Sequence, residues 1–141
     1  MPMPDVSHIG RRYLAAGQVV DGERAHAFAQ AIAGSGMGPV AADTIPPTFA
    51  AVYCLYPTLL LLFADIEVGI NLAGLIHGEQ SFEWPAAIHP GDVVDACAEI
   101  TSVDIKRGMT FLGLTVAATR QGDGATVCTG RALMIIRGGA G

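Results

Sequence analysis

The chain has 141 residues, 51% apolar and only 15% charged, with a net charge of −5 and a single lysine, Lys106. That length fits one domain, residues 1–141, burying roughly two-thirds of its unfolded surface, and the acidic balance excludes nucleic acid, which needs a basic footprint. So few charges on a small domain point to apolar surface hidden in an oligomer, and a phosphate-bearing ligand would have to rely on Arg107, Arg120, Arg131 or Arg137.

The first five residues, Met1-Pro2-Met3-Pro4-Asp5, lack the charged and apolar regions of a signal peptide, and residues 1–10 read as loose chain. A short strand is predicted within residues 11–20. Asp21 then reads as a helix N-cap, with Glu23 in the first turn where the helix dipole favours negative charge. Ala25, Phe28, Ala29 and Ile32 give that helix an apolar face, and Gly34 ends it. Residues 34–43 form a glycine-rich loop, and Pro46 and Pro47 stand at the entrance of a second helix.

In this second helix Phe49, Val52, Tyr53, Tyr56, Leu60 and Phe63 follow helical spacing. Alanine and leucine fill the gaps, so no polar face remains and the helix must be enclosed on every side. Lipid is the poorer enclosure, because a span needs about 20 apolar residues. The run over residues 49–64 is shorter, contains Pro57 and ends at Asp65 and Glu67, and no Lys or Arg lies between Arg24 and Lys106 to orient it. The expectation is a core helix over residues 48–64, with sheet on one side and a second subunit on the other.

A compact polar signature follows, Leu75-Ile76-His77-Gly78-Glu79-Gln80, and then a short strand, Ser81-Phe82-Glu83-Trp84, halted by Pro85. His89-Pro90-Gly91-Asp92 is a turn. Three long strands are predicted at residues 93–105, 109–120 and 125–137, joined by hairpins and therefore antiparallel. In the middle one Leu112, Leu114, Val116 and Ala118 share a face, opposite Phe111, Thr115 and Thr119. The sum is an α+β domain, an antiparallel sheet wrapped around one long central helix. Cys54, Cys97 and Cys128 have neither disulfide nor zinc spacing; they read as small apolar core residues in a reducing cytoplasm. No metal-ligand cluster, phosphate loop or Ser-His-Asp spacing appears, so neither cofactor nor metal is expected.

Four short stretches, in this order, carry a family resemblance: Pro46-Pro47-Thr48-Phe49, His77-Gly78-Glu79-Gln80 with Phe82, Pro90-Gly91-Asp92, and Gly108-Met109-Thr110-Phe111. Over residues 20–137 the chain resembles the hot-dog fold, and within it the MaoC-like (R)-specific enoyl-thioester hydratases and (3R)-hydroxyacyl-thioester dehydratases. The resemblance implies water added to, or removed from, an acyl thioester of coenzyme A or acyl carrier protein. A carboxylate and an imidazole would act as acid and base, and an amide at the helix N-terminus would polarise the thioester carbonyl. It also implies Pro47, Thr48, Tyr53, Leu60, Phe63, His77 and Gln80 as substrate-binding positions.

The family carries its acid and base in a loop like Gly-Asp-x-Asn-Pro-Ile-His-x-Asp. Here residues 35–43 read Ser-Gly-Met-Gly-Pro-Val-Ala-Ala-Asp, so Gly36 replaces the catalytic Asp and Ala41 the catalytic His. The resemblance therefore implies a degenerate subunit, without the dyad, that shapes the acyl pocket for a catalytic hot-dog partner in a hetero-oligomer. Asp21 and His26 repeat the family's Asp-to-His interval, but the N-cap accounts for Asp21. His77 and Glu79 remain as acid–base candidates in this chain. One alternative is a homodimeric hot-dog acyl-CoA thioesterase using Glu79, Asp65 or Glu67, although the last two read first as a solvated helix exit. Another is a non-enzymatic acyl-thioester-binding module.

Overall fold

The computed structural model describes residues 2–33, 41 and 44–138. Position 36 of the degenerate loop lies outside the described residues.

The predicted strands form where apolar residues alternate. In β4, Met109–Arg120, every second residue from Thr110 to Ala118 is buried, and the intervening ones are half-buried on the other face. Its neighbours are β3, Val93–Lys106, and β5, Thr126–Arg137, both antiparallel to it. The β3–β4 hairpin turns on Arg107 and Gly108, at φ 53° and 75°. Two left-handed residues make the turn that matches the twist of adjoining strands. The sheet is completed by β1, Arg12–Val19, and β2, Leu75–Glu83, in the order β1-β3-β4-β5-β2. The last of these absorbs the whole polar signature into a strand, and it is an edge.

One helix, α1, spans Gly22–Ala33. As expected, Asp21 caps it, its carboxylate accepting from the amides of Glu23 at 2.9 Å and Arg24 at 3.3 Å. Ala25 and Ala29 are buried, but Ile32 is exposed, so the apolar face is narrower than predicted. Phe28 meets Phe49 edge to face at 5.4 Å and fastens α1 to the start of the second helix.

That second helix, α2, is continuous over Pro47–Ala64, but it is not regular. It opens as a 3-10 turn, Pro47–Phe49, widens into a π-helical stretch, Ala51–Leu55, and becomes α-helical only from Tyr56. Pro57 supplies the reason. It has no amide proton to give, and its ring crowds the carbonyl one turn back. The chain accommodates this by widening, with the Tyr56 amide donating to the Ala51 carbonyl. Thr58, fully buried, donates its hydroxyl to the carbonyls of Leu55 at 2.7 Å and Cys54 at 3.1 Å.

Phe49, Tyr53, Cys54, Leu55, Leu59 and Leu62 of α2 pack with Ile100, Leu112, Leu114, Val116 and Met134 into the core. This is the hot-dog arrangement anticipated above. By length and composition α2 could cross a membrane, but the sheet covers one side of it. The other side is bare: Tyr56 is 54% exposed and Leu60 68%.

The N-terminal residues are not loose. Asp5 caps a 3-10 turn, Val6–His8, and the Gly10 amide donates to the Ile100 carbonyl at 2.8 Å. Pro4 is buried, and residues 2–4 lie across the chain leaving α2. A Cβ at Gly69, where φ is +71°, would collide with the Pro2 carbonyl.

Candidate functional site

The helix side of the β2 edge carries the first candidate site. In β2, His77 stands opposite Met134 and Gln80 opposite Ala132, with Gly78 bulged out between the pairs His77–Met134 and Glu79–Leu133. Residues directly opposite share a face, and Met134 and Ala132 are buried against the helix. His77 and Gln80 therefore both project to the helix side. Their side chains meet at 3.1 Å, His77 Nε2 to Gln80 Oε1. The Gln80 amide nitrogen donates to the Ser81 carbonyl at 2.9 Å. That leaves Oε1 as the acceptor and His77 Nε2 as the donor.

The same bulge separates the two acid–base candidates. Strict alternation would set His77 and Glu79 side by side. Instead Glu79 faces the outer side with Leu133, so the two candidates do not form an acid–base pair. Gly78 permits the bulge because a side chain there would press on the Ile135 Cδ1.

The carboxylates after α2 are committed to structure. Asp65 accepts from the Tyr13 hydroxyl at 2.7 Å, from Arg11 Nε at 2.7 Å and from the Glu67 amide at 3.1 Å. Burial works to raise its carboxyl, but the Tyr13 hydroxyl, the amides of Glu67 and Val68 and the Arg11 guanidinium outweigh burial and hold it below its ordinary value. Burial, then Asp65, push the Tyr13 hydroxyl up. Glu67, mostly in solvent, pairs with the other side of Arg11 at 2.7 Å. The pair clamps β1 to the end of α2, so the helix exit is ion-paired and not freely solvated.

The positions implied for substrate do not converge within one subunit. Pro47 and Thr48 are exposed at the start of α2. Tyr53 is buried in the core, and its hydroxyl has no hydrogen-bond partner among the described residues. Leu60 lies on the bare stripe. Phe63 lines a cavity of about 740 Å³ at the far end of the helix, with Met3, Asp65, Ile70, Thr110 and Ile136. At 1.5 Å per residue, Thr48 and Phe63 are about 22 Å apart. Ala41 is exposed, its carbonyl accepting from the Thr44 amide at 3.1 Å, and it offers only a methyl group. His26 keeps Nδ1 buried without a partner among the described residues, while the Asp21 carboxylate is spent on the α1 cap.

The cavity was not foreseen. Its residues come from the arm, the helix exit and two strand ends, which no local pattern in the sequence brings together. Of its lining, Phe63, Asp65 and Thr110 stand out in the sequence, each for a separate reason.

A family model described as FAS1-like, dehydratase domain region, matches residues 7–130. Among curated relatives, a UPF0336 protein of Cutibacterium acnes is 38% identical over 72 residues, covering 51% of this chain and 50% of that protein. The chain thus spans about half the length of that relative. A UPF0336 protein of Saccharopolyspora erythraea is 29% identical over 151 residues, covering 99% of this chain and 95% of that protein. Among solved structures, the C-terminally truncated HadBC (3R-hydroxyacyl-ACP dehydratase) complex of Mycobacterium tuberculosis superposes with a TM-score of 0.72. It is 22% identical, covering 91% of this chain and 96% of the matched one, a likeness of fold.

Proposed function

Since the chain belongs to the FAS1-like dehydratase-domain family, we propose that it is a cytoplasmic hot-dog subunit of an acyl-thioester hydratase or dehydratase, one that lacks the catalytic dyad. It shapes the acyl pocket while a partner chain supplies the aspartate and histidine. The observation that carries this is the dispersal of every candidate acid and base. Gly36 and Ala41 occupy the dyad positions, Glu79 points away from His77, Asp21 caps a helix, and Asp65 is held by Arg11 and Tyr13.

The partner docks where the concave side is unfinished. There β2 offers an unpaired edge, and Tyr56 and Leu60 leave an apolar stripe on α2. Such a stripe on a small domain marks an interaction surface. His77 and Gln80, already hydrogen-bonded, lie on the helix side of that edge and would hold the thioester end of the substrate by polar contacts, with the Thr48 amide, the one left at the start of α2 after Pro47 and the Phe49 bond to Pro46, facing its carbonyl. With its Nε2 held by Gln80, His77 serves to orient the ligand. The unbridged Cys54, Cys97 and Cys128 support a reducing compartment.

Hydration of crotonyl-CoA tests the proposal. The chain alone turns over negligibly, because the missing acid and base each contribute about 10²- to 10⁴-fold in typical enzymes. Adding a dyad-bearing hot-dog partner restores turnover, and changing the partner's Asp or His abolishes it. Hydrolysis of acyl-CoA by the chain alone would favour a thioesterase. Binding without turnover, with every candidate partner present, would favour a binding module.

A further inference from the structure

The candidate site lies on the helix side of the sheet, and the outer side carries a groove that it does not use. The groove has a volume of about 660 Å³, and Cys97, Thr115, Ala117 and Thr129 line its floor. These small side chains are half-buried, while α2 packs against the opposite side of the sheet. We infer that the groove receives the same face of a second copy of this chain, so that two sheets stack back to back. The inference stands apart from the hydratase reading, because His77, Gln80 and Thr48 take no part in the groove.

Charge selects the second copy over other partners. Two arginines and two glutamates wall the groove, Arg12, Arg131, Glu83 and Glu99. They sum to zero, which favours neither an anionic small molecule nor a strongly charged macromolecule. Arg12 and Glu99 neutralise each other at 2.7 Å. Arg131 and Glu83 are exposed and form no ion pair among the described residues. Arg131 stands opposite Ser81, and Glu83 opposite Thr129, so the two charges are diagonal neighbours on adjacent strands, about 7–8 Å apart. A twofold axis lying between the stacked faces, through the middle of that diagonal, sets Arg131 of each copy against Glu83 of the other. One contact then closes two ion pairs, the reciprocal pattern of an isologous interface. The area fits as well. At about 4.8 Å between strands and 3.4 Å per residue, the outer face of the five strands over residues 111–119 of β4 measures about 19 Å by 27 Å. Two such faces bury on the order of 1,000 Å², the lower limit for a specific interface, so the pair is reversible. Stacking doubles the assembly without lengthening any sheet. Pairing at the β2 edge uses backbone groups and leaves both charged side chains free for it.

Sedimentation velocity of the full chain over roughly 1 to 100 μM tests the inference, together with the rate of Cys97 labelling at the same concentrations. The thiol reports on the groove floor and not on the β2 edge. The wild-type chain self-associates across this range, and Cys97 labelling slows in proportion to the fraction paired. Arg131→Glu and Glu83→Arg each weaken self-association about ten-fold or more and restore fast labelling, since either reversal sets two like-charged pairs face to face. The double variant Arg131→Glu/Glu83→Arg recovers both readouts, a rescue that a misfolded chain does not give. Wild-type Cys97 labelling that ignores concentration would overturn the inference without recourse to any variant. Self-association that leaves Cys97 unprotected belongs to the β2 edge and overturns it too. Protection of Cys97 that appears only when a dyad-bearing partner chain is added assigns the groove to that partner, and the second copy is again refuted.

Discussion

Changing Asp65 to Asn, or Tyr13 to Phe, separates a structural carboxylate from a chemical one. Asp65 is 12% exposed at its side chain and ties the end of α2 to β1 through Tyr13 and Arg11. Tyr13→Phe removes one hydrogen bond to a charged group from a buried position, a loss of about 1.5–3 kcal/mol. In a domain of this size each kcal/mol moves Tm by roughly 3–5 °C, so Tm falls by on the order of 5–15 °C. Asp65→Asn costs at least as much. The pH dependence follows from the sign of the shift. The folded Asp65 carboxyl lies below its unfolded value. Its stabilisation is therefore complete above the ordinary carboxylate range, near about 4, and disappears as pH falls through the folded value. Urea unfolding at a series of pH values measures it: the gap between wild type and Asp65→Asn is widest at pH 7 and closes in acid. Equal urea midpoints at pH 7, or a gap that persists in strong acid, would refute the clamp. Loss of an acyl-CoA hydrolase activity in Asp65→Asn, with stability intact, would return the carboxylate to the thioesterase reading.

Leu60→Asp, on the bare stripe, leaves the stability of the isolated chain within about 0.5 kcal/mol, yet abolishes association with the partner in sedimentation. Thiol titration of the folded chain labels Cys97, half-buried on the outer face, well before Cys54 and Cys128, which are buried and react at the rate of unfolding. Gly69→Ala forces a left-handed residue, about 1–2 kcal/mol of strain, and displaces Pro2. Amide exchange at Met3 and Asp5 accelerates while β4 stays protected. Leu112→Ala, fully buried at the centre of β4, costs about 2–5 kcal/mol in urea unfolding.

The long strands were legible because their apolar residues alternate over a dozen positions, and Asp21 was legible because capping is a local matter. The interior of α2 was not. Phe49 to Phe63 scan as one helical period, and only Pro57 hints that the first half must widen. The β2 bulge was hidden for a similar reason: a count of two along His77-Gly78-Glu79 pairs the wrong side chains, and Gly78 is the sole clue. The role of Asp65 needed Arg11 and Tyr13, which lie more than fifty residues away. Such partners declare themselves only when the sheet brings β1 beside the helix exit.

The two margins of the sheet differ in a way that governs how far it can grow. At β1 the ladder is interrupted between Ala15 and Gln18, the Gly17 amide is turned back onto Asp95, and Arg12 is paired with Glu99. A strand arriving there finds a kinked and charged border, the usual protection against edge-to-edge polymerisation. At β2 the bulge at Gly78 breaks the ladder once, but the five residues from Glu79 to Glu83 beyond it pair in unbroken register and carry no ion pair among the described residues. Extension from one margin only is self-terminating. Two such sheets joined at their unguarded margins expose nothing but guarded ones, and the assembly closes as a pair where two open margins would propagate into fibres.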